Sequence, residues 1–167
     1  MTELHVDATR CRLRIGATEV MCAIGHGGAV ESELKREGDG ATPLGSWPIR
    51  GVLLRPDRVL PLALHVPWRW LRRSDGWSDD PRDPEYNRPI RLPHGFRAER
   101  LWRSDALYDI IVVLGHNVEP PAPGLGSAIF LHVAPASAVT EGCVAIARDA
   151  LLVLLPQLGA ESILRID

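Results

Sequence analysis

The chain has 167 residues, 46% of them hydrophobic and only 5% aromatic, which suits one domain whose core rests on Leu, Val, Ile and Ala. That apolar content excludes global disorder. Nineteen Lys and Arg against 21 Asp and Glu give a formal net charge of -2, so no polyanion footprint stands out and no nucleic-acid partner is expected.

The N-terminal MTELHVDATR lacks a basic start followed by an apolar run, so no signal peptide is read. The longest apolar candidate, around Ala150 to Leu155, is too short to span a bilayer, and no stable membrane insertion is expected. Strands are predicted at CRLRI and TEVMCAIG, turned at Gly16-Ala17. Cys11 and Cys22 lie in these runs as small buried hydrophobes, and a bridge between them stays open. A structured loop from Gly25 leads into a strand at PIRGVLL, with turn signals at Gly38-Asp39-Gly40 and Thr42-Pro43. Residues 67–91 lack periodicity but hold Trp68, Trp70 and Trp77, which predicts an ordered lid or wall over a site. The arginine clusters Arg69, Arg72, Arg73 and Arg97, Arg100, Arg103 read as solvated faces.

Regular structure returns at IIVVL and SAIFLHV, both predicted as strands. RDALLVLLPQL places five leucines on one helical face, with Asp149 at its start, and SILRI closes the chain as a strand. The sum is a mainly β chain with one or two helices, an α+β class in one domain over residues 1–167.

Chemistry concentrates in FLHVAPASAVTEGCVAIA. His132 sits near a strand end, and Cys143 follows eleven residues later in a bend holding Gly142. A thiol becomes a good nucleophile on losing its proton, and a neighbouring imidazole can take it. Gly142 removes a side chain beside the sulfur, and N–H groups of the bend can face an oxyanion. His116 and Asn117, after IIVVL, are read either as functional groups at a strand end or as a turn that Asn117 caps. The loop DGWSDDPRDPEYN offers Asp75, Trp77, Asp79, Asp80, Tyr86 and Asn87. Its carboxylates could receive an ammonium against Trp77, although Asp-Pro and Asn are also ordinary turn chemistry.

The TEGCVA bend behind a strand-borne histidine resembles the motif of YkuD-type L,D-transpeptidases: His, a spacer, then Ser or Thr, any residue, Gly, Cys, Ile or Val, Arg. Thr140, Gly142, Cys143 and Val144 match it, and His132 takes the histidine place. Lys35 to Gly45, KREGDGATPLG, is similar to the family's upstream Lys, Gly-Asp, Thr-Pro, Gly signature. The resemblance implies a β-sandwich, peptidoglycan stem peptides as donor and acceptor, a periplasmic place of action and no cofactor. It implies Cys143 as nucleophile and His132 as base, with the imidazole held by a backbone carbonyl. Thr140 and Glu141 would then face the substrate. Ala145 departs from the pattern, standing where the motif has arginine. This departure leaves open 3-3 or 1-3 cross-links, an L,D-carboxypeptidase or hydrolase on the same fold, and a non-catalytic peptidoglycan-binding relative.

A metal hydrolase fits poorly, because the six histidines form no HExxH and no CxxC is present; His5, His26, His65 and His94 read as surface or loop residues. Papain-like peptidases place Cys before His, the reverse of this order. Sortases need a longer spacing and a later arginine, for which Arg148 is a poor match.

Overall fold

A computed structural model describes residues 2–135 and 137–167. In chain order the strands are β1 (Glu3–Asp7), β2 (Arg12–Ile15), β3 (Thr18–Ala23), β4 (Ala29–Val30), β5 (Thr42–Pro43), β6 (Gly45–Leu54) and β7 (Trp68–Trp70). There follow β8 (Asp75–Ser78), β9 (Pro89–Arg91), β10 (Ala98–Arg100), β11 (Ile110–Leu114), β12 (Phe130–Val133), β13 (Val144–Ile146), the helix α1 (Arg148–Leu154) and β14 (Ile163–Ile166). The expected mainly β class with a short helix holds.

Two corrections concern elements. The first residues form a strand that the sequence reading passed over. Leu4 and Val6 alternate inward, and β1 pairs in parallel with β14 and antiparallel with β2. The 67–91 segment is likewise not a plain loop. It carries β7, β8 and β9, and β8 sits between β9 and β10 in a separate three-stranded sheet. These strands span three or four residues each, too short for a period to register.

The main sheet closes on itself. Its order runs β11, β12, β13, β3, β2, β1, β14, β6, and β6 returns to β11. The ten-residue β6 makes this possible, since its first half pairs β14 and its second half pairs β11. Inside lie Leu4, Leu13, Val52, Leu54, Val112, Leu131, Leu164 and their neighbours, closed off by Leu151, Leu154, Leu155 and Leu158. The predicted 148–158 helix ends as α helix at Leu154 and tightens into a 3-10 turn over Leu155–Gln157, where Pro156 supplies no N–H. No helix among the described residues is long and apolar enough to cross a membrane. Cys11, Cys22 and Cys143 are all free thiols, so the Cys11–Cys22 bridge left open from sequence is not formed.

The feature that positions chemistry is the parallel pair β12 and β13, in register Leu131↔Val144 and His132↔Ala145. Side chains alternate across a strand. Leu131, Val133, Val144 and Ile146 therefore enter the core, while Phe130, His132, Cys143 and Ala145 stand on the other face. Truncating Leu131 to Ala is expected to lower unfolding stability by about 3 kcal/mol, read from urea denaturation, because the closed sheet cannot collapse around the void.

Candidate active site

Cys143 and His132 line one cavity of about 640 Å³ on that outer face. They are not hydrogen-bonded to each other. The Cys143 sulfur donates to the Ala128 carbonyl at 3.2 Å and accepts from the Phe130 N–H at 3.4 Å. Burial first, and then the negative charge of Glu99, push the Cys143 thiol up to about 12. The resting protein therefore carries the thiol, with the thiolate disfavoured. Burial likewise holds His132 below its ordinary value of 6.5. The resting pair is thus a neutral thiol and a neutral imidazole, and low polarity disfavours a preformed ion pair.

The imidazole is fixed as the family resemblance implied. His132 Nδ1 lies 3.0 Å from the Val133 carbonyl, a contact that requires the proton on Nδ1 and leaves Nε2 as the acceptor. Tyr108 stands edge-on to the ring, with centroids 5.2 Å apart.

Thr140 shapes the bend: its hydroxyl donates to the Cys143 carbonyl at 2.6 Å and accepts from the Gly142 N–H at 3.2 Å. The Gly142 N–H is therefore engaged within the bend. Gly142 has another task. Its φ is +130°, and a Cβ there would stand 2.8 Å from the Ala41 carbonyl oxygen. The bend can rest on the Lys35–Gly45 block only with glycine. That block is a wall organised by Asp39, which accepts hydrogen bonds from Lys35 Nζ, the Arg36 N–H and the Ala41 N–H. Burial raises the Asp39 carboxyl, but these bonds outweigh it and hold the group below the usual carboxylate range.

Glu141 lines the cavity and reaches His26 Nε2 at 3.0 Å, and Asp79 lines it too but is held by Arg97 at 2.9 Å. Trp77, Tyr86, Asn87, His116 and Asn117, expected from sequence at the substrate, do not line it. Tyr86 donates its hydroxyl to the cavity-lining Glu37, and the others form a brace beneath. Asn87 Oδ1 accepts from Trp77 Nε1 and the Ala128 N–H, while its amide donates to the His116 and Asn117 carbonyls. Trp77 packs edge-on against Phe130. Asn117 holds the following turn through Ala122 and Gly126. Asp75 and Asp80 are committed to Arg69 and Arg82. The loop's carboxylates are therefore largely spent on structure.

Cavity residues missed from sequence include Lys35 as a lining group, Glu37, Arg97, Glu99, Arg103 and Tyr108. Glu99 and Arg103 sat in a stretch read only as a charged face, and no local signal distinguishes them. His94, read as a surface or loop residue, has its ring largely covered and bonds Asp83 at 2.6 Å. Asp83, Glu85 and His94 bring ligand atoms within 4.8 Å of one another. The Asp83 Oδ2 nearest His94 already receives the Ser78 hydroxyl, which explains the contact without a cation.

A family model for the L,D-transpeptidase catalytic domain, YkuD, matches residues 2–163. The chain belongs to that family. Among solved structures, Bd1075 from Bdellovibrio bacteriovorus is 18% identical, with a TM-score of 0.50 over 99% of this chain and 47% of that one. An L,D-transpeptidase from Xylanimonas cellulosilytica is 11% identical (TM-score 0.46), covering 99% of this chain and 60% of that one. L,D-transpeptidase 1 from Mycobacterium tuberculosis is 12% identical (TM-score 0.45), covering 99% and 58%. This chain thus spans about half the length of the structures it resembles. No curated protein matches it.

The departure from the motif has a packing reason. Ala145 is fully buried among Ala23 and Ala134, with Leu107 and Ala138 against them. An arginine there would bury a guanidinium in a space sized for methyl groups. Ala145→Arg is accordingly expected to destabilise the protein by about 3 kcal/mol in chemical denaturation, rather than restore a family-like site.

Proposed function

We propose that this domain is a cysteine-dependent L,D-transpeptidase acting on peptidoglycan stem peptides outside the cytoplasmic membrane. The observation that carries the reading is the shared cavity of Cys143 and His132, with Nδ1 tied to a carbonyl and Nε2 left as acceptor. With both groups neutral at rest, proton transfer accompanies attack and does not precede it. The sulfur leaves Ala128, its proton passes to His132 Nε2, and an S–C bond forms to the donor carbonyl. The donor's C–N bond then breaks, and the leaving amine takes the proton from His132. An acceptor amine next attacks the thioester and gives its proton to His132. The new amide forms as the C–S bond breaks, and the proton returns to sulfur. Water in place of the amine would give an L,D-carboxypeptidase.

A non-catalytic peptidoglycan-binding relative is the second reading, favoured by the hydrogen-bonded sulfur of Cys143 and its raised thiol. Incubation with a carbapenem separates the two. The transpeptidase reading expects one covalent adduct by intact mass, lost in Cys143→Ala; an unmodified wild-type mass rejects it. His132 must be neutral to accept a proton, and burial lowers its pKa. The acid limb of acylation is therefore expected below pH 6.5, and a limb above that value would contradict a buried base.

Loss of the motif arginine at Ala145 motivates a finer proposal, that the donor is gripped differently and that 1-3 as well as 3-3 links form. Mass analysis of dimers made from purified muropeptides is expected to contain both; purely 3-3 dimers would end this proposal.

A further inference from the structure

The cavity around Cys143 holds an acid that the mechanism above does not use. Glu99 stands at the middle of β10, paired in register with Trp77, and lines the cavity together with Cys143, His132 and Tyr108. Tyr108 donates its hydroxyl to Glu99 Oε1. Glu99 Oε2 accepts no hydrogen bond from any described residue. Yet it is not a sealed orphan, since His116 Nδ1 is the one enclosed side-chain polar atom among the described residues without a partner. Oε2 is therefore the free, cavity-facing end of an otherwise covered carboxyl.

The surrounding charges leave that oxygen uncompensated. Lys35 is committed to Asp39 and the Arg36 carbonyl, Arg97 to Asp79, and Arg103 to Asp105 through two bonds of 2.6 and 2.8 Å. Two further acids, Glu37 and Asp79, line the same cavity. Burial first, and then the charge of Asp79 and Glu37, push the Glu99 carboxyl up, against the opposing pull of Tyr108 and Arg103. Such a wall has one missing partner, a compact cation with several N–H donors.

Resting on the transpeptidase reading, we propose that Glu99 is the specificity-determining residue of this site: its Oε2 receives the primary ammonium of an amine-bearing peptide whose carbonyl is presented to Cys143. The role that sequence reading gave to carboxylates of the 75–87 loop thus falls to a residue outside it.

The test uses two tetrapeptide donors that differ only in whether the side-chain amine of the diamino residue is free or acetylated, with Cys143 acylation followed by intact mass. The wild-type protein is expected to be acylated at least about tenfold faster by the free amine, and Glu99→Gln to bring the two rates within about twofold. A general loss of structure would lower both rates without changing their ratio. Equal rates on the wild type, or a preference intact in folded Glu99→Gln, would overturn the assignment. Should that variant not fold, Glu99→Asp is read instead: withdrawing the carboxylate by one methylene is expected to cut the preference at least about threefold, and an unchanged ratio overturns it. A carbapenem that labels the wild type while neither peptide does so removes this assignment alone. Failure of all three to label removes the transpeptidase reading with it.

Discussion

The geometry of the site depends on the register of two short parallel strands. With Leu131 opposite Val144 and His132 opposite Ala145, every inward residue of β12 and β13 is apolar, and each outward one faces the cavity or its wall. A slip of one residue would turn His132 into the core and send Leu131 and Val133 out. The hydrophobic cost of that exchange is what holds imidazole and sulfur over the same cavity. Packing inside the closed sheet and chemistry outside it are consequences of one alternation.

On the outer face, burial sets the character of the groups. Cys143 and His132 are both driven toward their neutral forms, and the sulfur rests against a backbone carbonyl. The alanine at position 145 belongs to the same design. It sits in a cluster of small buried side chains, so the charged groups of the cavity lie on its rim and walls, where most are already paired.

Much of this was legible in the residues. The apolar runs IIVVL and FLHV, the Gly-Cys bend and the leucine-rich face after Arg148 each carry their signal locally, and each forms the element expected of it. Other features were not legible for identifiable reasons. β1 shows its alternation only over Leu4 and Val6, and its pairing with β14 joins the two ends of the chain. Of the strands within 67–91, β7 is held by β6, while β8 is held by β9 and β10, by tertiary pairing rather than by propensity. Asn87 and Asn117 have the polar character of site residues, yet their side-chain hydrogen bonds are consumed in the brace beneath Ala128 and in the turn that follows Asn117.

The sequence by itself determined that a cysteine and a histidine would come together, the glycine that lets the bend close, and the class of fold, because these rest on side-chain chemistry and on periods of two or 3.6 residues. Only the tertiary structure decided which polar groups reach the cavity. Glu99, Tyr108, Arg103 and Lys35 come from distant segments, and whether a carboxylate is free or already satisfied depends on partners that no local spacing specifies. A side chain's chemical type is a local property; its exposure and its partners belong to the packed whole.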